Sequence, residues 1–399
     1  MIDFLKRTWA DINLDAIRHN YAEITKKLSP GCSVMAIVKA DAYGHGAGIV
    51  SRTLKDAGVS WFGVSNLDEA MQIRNEGLDD PILILSYTQP DKAAQLAKYN
   101  IAQSVFDRRY AERLGAEAVK AGVTVRVHVK LDTGMSRLGF FCPGENGLQK
   151  TIEDIAAVCS LPGLCAEGVF THFASADERE DGDYTQMQFE LFCKVIGELE
   201  KRGIKFPLRH CCNSAAAIRF PKMHLDLARI GIALYGLYPA PWMKEIIRLS
   251  PAMELKTTVS MLKTIPEGTA VSYGRTYKSK GVAAVATVPI GYADGYPRSM
   301  SNRAEMIVCG KRAKVIGRVC MDQSLLDVTG IDGVDENSVV TVIGRDGGEM
   351  VSVDEISELS GTINYEIVCL IGKRVPRIYH SGGKLIGQLN YIRMQEELL

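Results

Sequence analysis

With 399 residues, 46% of them hydrophobic, the chain is long enough for two domains, or for one large barrel with an appended domain. Lysine plus arginine balance aspartate plus glutamate at 47 each, which removes any general attraction to nucleic acid or anionic lipid. The N-terminal MIDFLKRTWADINL lacks the apolar core of a signal peptide, and no apolar run reaches membrane-spanning length. A cytoplasmic protein with a small-molecule partner is expected, with neither nucleic acid nor membrane as partner.

The ten cysteines include no CxxC pair, and several sit in apolar runs such as EMIVCG and IAAVCS. That usage predicts reduced, buried thiols, not disulfides or a zinc site. The seven histidines show no ligand spacing either, so no metal is expected.

In chain order, residues 13–28 predict a helix capped by Asn13, with Leu14, Ile17, Tyr21, Ile24 and Leu28 forming one apolar stripe. The run AIVK (36–39) follows, then WFGVS (61–65), PILILS (81–86), IAQSVF (101–106) and VTVRVHVKLD (123–132). CAEGVFTHF (165–173), FPLRHCCNS (206–214) and LDLARI (225–230) complete the series. Helical patterns at 68–77, 108–122 and 184–203 lie between them. Eight strand runs alternating with helices predict an α/β protein with a (β/α)8 TIM-type barrel over 11–238. From 239 to 399 β-branched alternation and glycine turns predict a mostly β C-terminal domain, joined by a strand in 1–10. Short helices are expected there at 353–359 and 362–371.

Barrel enzymes carry their chemistry at the C-terminal ends of the strands. Lys39 ends the first run before a glycine-bearing turn, where burial or a cationic neighbour lowers a lysine's pKa toward neutrality. Arg137 follows the fifth run, His172 ends the sixth, Asn213 and Ser214 end the seventh, and Arg229 ends the eighth. Each has an ordinary explanation, but five strand ends bearing such groups on one rim mark a site. Ser214 with the Gly231 and Ile232 amides falls where such barrels bind phosphate. A phosphate there, with Lys39 across the rim, points to a phosphorylated aldehyde cofactor held as a Schiff base, pyridoxal 5′-phosphate being the obvious candidate.

On the fifth run Arg126, His128, Lys130 and Asp132 share one face. Two readings stand: Lys130 orients Arg137 or binds an anion inside the barrel, or this face meets solvent at the barrel's lower edge. In the β domain, VSYGRTY (271–277), PIGYADGYPR (289–298) and GRVCMDQ (317–323) are further polar loops.

Together these segments resemble the alanine racemases, a family that joins a barrel to a β domain and uses pyridoxal phosphate. The likeness runs from AIVKADAYGHGA through KLDTGMSRLGF, THFASAD, NSAA, RIGIALYG, VSYGRTY, IGYADGYPR and GRVCMDQ to RVPR, nearly the whole chain. It implies interconversion of L- and D-alanine by two-base proton transfer, supplying D-alanine for peptidoglycan, in a homodimer whose site is shared between subunits. By the same resemblance Lys39 forms the Schiff base and acts as one base, with Tyr43 near the phosphate. Tyr273 is the other base, contributed across the dimer interface and supported by His172. Arg229 faces the pyridine nitrogen, Arg137 positions the tyrosine and the substrate carboxylate, and Met321 offers that carboxylate its backbone amide. Tyr292 stands at the entrance with Asp322 nearby, and Lys130 supports the site.

One position departs from the pattern: Lys373 precedes RVPR where some members have an aromatic residue. Serine or broader amino-acid specificity is therefore an alternative, as is a non-catalytic pyridoxal phosphate homeostasis protein. A decarboxylase of this architecture is disfavoured, since it calls for a carboxylate at the pyridine nitrogen where Arg229 is expected.

Overall fold

The computed structural model describes residues 6–144 and 147–394. They divide into two compact units. One comprises Ile17–Ala42 and Ala47–Ser250; the other takes the chain up to Ala16, the short piece Tyr43–Gly46 and everything from Pro251.

Strand β1 (Thr8–Asn13) opens the chain and belongs to the second unit. The first part of the strand expected at 1–10 lies outside the described residues. The first unit is built on β2 (Ser33–Ile37), β3 (Trp61–Val64), β4 (Ile82–Ile84), β5 (Ile101–Val105) and β6 (Val125–Asp132). The two-residue β7 (Phe140–Phe141) follows, then β8 (Leu164–Phe170), β9 (Leu208–His210) and β10 (Leu227–Ile230). The ladder order is β10-β2-β3-β4-β5-β6-β8-β9, all parallel, with β7 pairing β6. Single backbone bonds bridge the remaining seam, from Asp226 N–H to Arg209 O (3.1 Å) and from Arg229 N–H to Cys212 O (3.0 Å). The result is a nearly closed eight-stranded barrel. Strands β3 and β4 read as unbroken apolar runs because parallel strands are covered on both faces; β4 and β5 are buried at every residue.

Side-chain caps start the helices where the sequence supplies them. Asn66 accepts the Glu69 N–H ahead of Leu67–Asn75, and Asp107 accepts that of Tyr110 ahead of Arg108–Lys120. Asn13 accepts the Asp15 and Ala16 amides ahead of Leu14–Thr25. Helices at Ala47–Asp56 and Leu148–Cys159 had no counterpart in the sequence reading.

β1 lies within an eleven-stranded sheet of the second unit, antiparallel to Met253–Thr258 and parallel to Arg377–Ser381. A separate hairpin pairs Ala270–Val271 with Tyr277–Lys278. Val271 is packed in a cluster with Ile265, Ala283, Val285 and Ile316, which anchors the hairpin's base.

All ten cysteines are free thiols, but the expectation that they are buried is corrected. Only Cys142, Cys211 and Cys212 are buried, while Cys165, Cys193, Cys309 and Cys369 are exposed. Cys309 leaves the apolar run EMIV at a left-handed residue (φ 49°), which turns its side chain out of the sheet's core. Among the described residues no helix is long and apolar enough to cross a membrane.

Candidate active site

Lys39 does not close strand β2, which ends at Ile37. It opens a helical turn, Lys39–Gly44, whose hand is reversed: φ is 50–55° at Ala40, Asp41, Ala42 and Tyr43, and 78° at Gly44. Left-handed helix costs non-glycine residues about 1–2 kcal/mol each, so surrounding bonds must impose it. In the barrel unit, the Glu69 carboxylate accepts the Ala40 N–H (2.8 Å) and the Ser65 N–H (2.7 Å). Asp41 accepts the Ala47 N–H at 2.8 Å, and Ala42 N–H donates to Val38 O at 2.8 Å. The far end of the turn is gripped within the second unit. There the buried Arg377 donates its Nε–H to Gly44 O (2.9 Å), and the Tyr379 hydroxyl donates to His45 O (3.1 Å). Tyr43, itself buried, lies with its ring centroid 6.1 Å from that of Tyr365.

Arg229 sits on β10 with its guanidinium buried in the barrel. Nη1 donates to His210 Nδ1 (2.8 Å) and His210 O (3.1 Å). Nη2 donates to Thr171 O (2.7 Å), Cys211 O (3.0 Å) and His172 Nδ1 (3.1 Å). These bonds use both terminal nitrogens, and among the described residues none engages the Nε–H. Burial pulls the Arg229 pKa down to about 10, still high enough to keep it charged at neutral pH. Burial first, and then the charge of Arg229, push the His172 pKa well below the usual imidazole range. His172 is therefore neutral, accepts at Nδ1 and keeps its proton on Nε2.

Nearby, Ser214 is the first residue of the helix Ser214–Arg219, capped by Asn213. Its hydroxyl accepts the Gly231 N–H at 2.9 Å, tying together the ends of the seventh and eighth barrel strands. Ser214, Gly231 and Ile232 are all buried.

The solvent-facing reading of β6 is corrected. His128, Lys130 and Asp132 are buried, and only Arg126 is partly exposed. Burial, then the neighbouring Arg229 charge, push the Lys130 pKa down to about 7. Its Nζ donates to Leu131 O (3.0 Å), and among the described residues no bond joins it to Arg137. Arg137 is exposed, on a loop shaped by Asp132, which accepts the Gly134 (3.1 Å) and Ser136 (2.9 Å) amides.

The remaining candidates belong to the second unit. Tyr273 crowns the hairpin loop and is 70% exposed. Ser272 (φ 62°), Gly274 (φ 69°) and Arg275 (φ 49°) around it are left-handed. The Ser272 hydroxyl donates to Arg318 O at 2.6 Å, and the Arg318 guanidinium lies where a Cβ on Gly274 would be, 2.9 Å away. Tyr292 and Met321 come from two loops that lock together: Tyr292 N–H donates to Cys320 O (3.1 Å) and Ala293 N–H to Met321 O (3.0 Å). A Cβ on Gly291 would lie 2.4 Å from Met321 O, so only glycine permits this approach. Among the described residues the Met321 N–H itself takes no partner. Asp294, wholly buried, holds the pair of loops by accepting from Arg7 (3.0 Å), Arg374 (2.9 Å) and Gly291 N–H (3.0 Å). Arg374 also reaches Asp322 at 2.6 Å.

The barrel unit thus brings together Lys130, His172, Ser214, Arg229 and Gly231. Tyr273, Tyr292, Met321 and Asp322 belong to the other unit, with Tyr43. Sequence reasoning passed over His210, Tyr365, Arg318, Asp294 and Arg377. Asp294 and Arg377 lie in motifs already quoted, IGYADGYPR and RVPR, and a buried charge there was readable; Tyr365 carried no such signal.

Comparison with known proteins follows the same division. Residues 12–239 match the family described as "Alanine racemase, N-terminal domain", and residues 252–379 match "Alanine racemase, C-terminal domain". A protein named alanine racemase from Desulforamulus reducens is 47% identical over 93% of this chain and 98% of its own. A Bacillus anthracis alanine racemase structure, described as having bound L-Ala-P, superposes with a TM-score of 0.91 at 36% identity, covering 98% of this chain and 100% of that one. A histidine racemase from Leuconostoc mesenteroides has a TM-score of 0.84 at 28% identity, covering 94% and 98%.

Proposed function

Because the chain belongs to the alanine racemase family, with both of its domains present in order, we propose a pyridoxal phosphate site on the residues just described. The activity is the interconversion of L- and D-alanine. Lys39 would hold the cofactor's aldehyde carbon, Tyr43, Ser214, Gly231 and Ile232 its phosphate, and Arg229 its ring nitrogen. One observation carries this fit: the buried Arg229 has both terminal nitrogens engaged by the barrel, and its Nε–H alone is left for a ligand.

When bound, pyridoxal phosphate supplies the electron sink that acidifies the substrate Cα–H. Racemisation then needs one group to take a proton on one face of Cα and another to return it on the other. Lys39 Nζ serves one face and the Tyr273 hydroxyl the other. His172, neutral with its proton on Nε2, is the donor that supports the phenolate oxygen of Tyr273. Arg229 does not surrender its proton, so it leaves the ring nitrogen unprotonated and keeps the sink weak. Arg137 and the Met321 N–H hold the substrate carboxylate, while Tyr292, Asp322 and Lys373 border the entrance.

Tyr273 is supplied by a second copy in a homodimer, a reading supported by its exposed hydroxyl-bearing ring. Ten free thiols favour a reducing, cytoplasmic setting, with D-alanine destined for peptidoglycan. A non-catalytic homeostasis barrel is disfavoured by the matched second domain. Because a histidine racemase shares the architecture, broader amino-acid specificity is the second reading. The test is a chiral assay of alanine with purified holoenzyme, alongside its visible absorbance. Cofactor binding without turnover of either enantiomer would refute it.

A further inference from the structure

A polar column runs through the barrel beneath Arg229. TIM-type barrels usually fill this space with branched aliphatic layers. Here Arg229 Nη1 meets His210 Nδ1 at 2.8 Å, and His210 Nε2 meets His128 Nδ1 at 2.8 Å. His128 Nε2 then meets Glu167 Oε1 at 3.3 Å. Arg126 closes the outer end on the other Glu167 oxygen at 3.1 Å.

The protonation pattern of this column is fixed by its ends. A guanidinium only donates, so His210 accepts at Nδ1 and carries its proton on Nε2. That proton goes to His128 Nδ1, which leaves the His128 proton on Nε2, pointing at a carboxylate that only accepts. Both imidazoles are held in one tautomer and one direction. Burial lowers the pKa of both histidines, consistent with two neutral rings.

The packing is built around this arrangement. A Cβ on Gly168 would lie 2.3 Å from His128 Nδ1, so the ring needs a glycine beneath it. Phe170 stacks on His210 at 4.8 Å and 6°, and the Arg229 guanidinium lies 5.3 Å from the same phenyl ring. Buried polar side chains are costly unless fully satisfied, and a wholly apolar filling was open to this barrel.

We propose that Glu167, His128 and His210 form a single positioning column that fixes the orientation of Arg229 toward the cofactor's ring nitrogen. Their acceptors saturate Nη1 from below, so the guanidinium cannot rotate and its Nε–H stays aimed at the site. The inference rests on the site assignment above; the column itself is a property of the apoprotein and is testable there.

The experiment uses 15N-histidine-labelled protein, with and without pyridoxal phosphate, and reads the tautomers of His128 and His210 by NMR. In the wild type both rings are expected to be pure Nε2–H. Glu167→Met removes the acceptor of the His128 Nε2–H and should shift the His128 15N resonances in the apoprotein, while the Arg229 guanidinium still holds His210 in its Nε2–H form. In the holoenzyme it should lower the ratio of racemisation to transamination about ten-fold, as for other groups that orient a ligand's partner. Glu167→Gln, whose amide oxygen can still accept, should restore both readouts. Trp61→Phe is the structural control, since Trp61 packs edge-on against His128 at 5.5 Å without joining the column. It should lower stability and leave both readouts in place. If Glu167→Met does not fold, His128→Gln reads the same coupling through His210 alone. An unchanged His128 resonance pattern and turnover ratio in Glu167→Met overturns the proposal, as does an equal change in Trp61→Phe or a failure of Glu167→Gln to rescue. Failure of the wild type to racemise alanine would instead remove the site assignment and leave the apoprotein result standing.

Discussion

Lys39 and Tyr273 both ride on left-handed backbone, yet the two segments are built differently. At Lys39 the reversed hand runs through four successive non-glycine residues, held by Glu69 and Asp41 on one side and by Arg377 on the other. At Tyr273 only Ser272 and Arg275 bear the strain, Gly274 relieves it between them, and the clamp is a hydroxyl and one arginine behind the loop. Lys39 is half-buried, whereas Tyr273 is 70% exposed. A proton-transfer group works best shielded from water. The first segment is finished by its own chain; the second is a projection that waits for a cover, which is why a second copy is proposed.

The largest effects fall on the two side chains themselves. Lys39→Ala should remove the label that borohydride reduction places on the holoenzyme, and lower kcat/KM by about a thousand-fold or more. Label at another lysine would sink the assignment. Tyr273→Phe should abolish solvent deuterium exchange from one enantiomer of alanine far more than from the other; equal loss from both would count against a one-sided base. Mixing the two inactive variants should restore activity through heterodimers with one intact site. No recovery despite proven subunit exchange would mean that Tyr273 is completed within one chain.

The backbone difference predicts unequal costs for the same substitution. A Cβ at Gly44 would lie 2.3 Å from the Val368 carbonyl oxygen, a backbone atom that cannot step aside. Gly44→Ala should therefore destabilise the protein by about 3 kcal/mol. At Gly274 the obstacle is the movable end of Arg318, so Gly274→Ala should cost about 1–2 kcal/mol, the left-handed penalty alone. Urea unfolding of the two variants decides it, and a cost at Gly274 equal to that at Gly44 would erase the distinction.

A smaller effect separates the rims by charge. Lys130 has its pKa pushed down to about 7 in the fold. An unfolded lysine holds its proton to about pH 10.4, so between these values the unfolded chain binds more protons. The Lys130 contribution to apoprotein stability should rise with pH across that window, by at most about 1.4 kcal/mol per unit, and the burden of its buried charge should be complete below it; the readout is the difference in slope between wild type and variant. Lys130→Met should flatten this slope.

The comparison also shows what was legible. All eight barrel strands were readable because short β-prone runs alternating with helical patterns have few other homes. Lys39 was readable as a residue but not as a conformation. Nothing in Ala-Asp-Ala-Tyr-Gly demands a left-handed helix; Glu69 and Arg377 impose it from far along the chain. The β6 face was ambiguous for the same reason. His128 looks like a surface residue until His210 and Glu167, on two other strands, are known to complete it. Local pattern carried the scaffold, while long-range polar pairing, which leaves no periodic trace, carried the fine structure of the site.

The smallest expected effect concerns the substrate, and it tests whether the second unit sets selectivity. On the proposed assignment, the barrel residues at the cofactor would recognise features common to every amino acid, and so would Arg137 and Met321. Discrimination would then be left to the proposed entrance, where Tyr292 is 43% exposed and Lys373 is exposed. A small pocket separates substrates that differ by one group by only about 1–3 kcal/mol, so serine should be turned over less well, not excluded. A flexible lysine leaves more room than an aromatic ring and brings donors that a serine hydroxyl can meet. Alanine is still expected to lead, by about ten-fold in kcat/KM, the lower part of that range. Lys373→Tyr should widen the gap between alanine and serine and leave alanine turnover itself nearly unchanged. A kcat/KM for L-serine equal to or above that for L-alanine would overturn the preference, and an unchanged gap in Lys373→Tyr would move selectivity away from this wall.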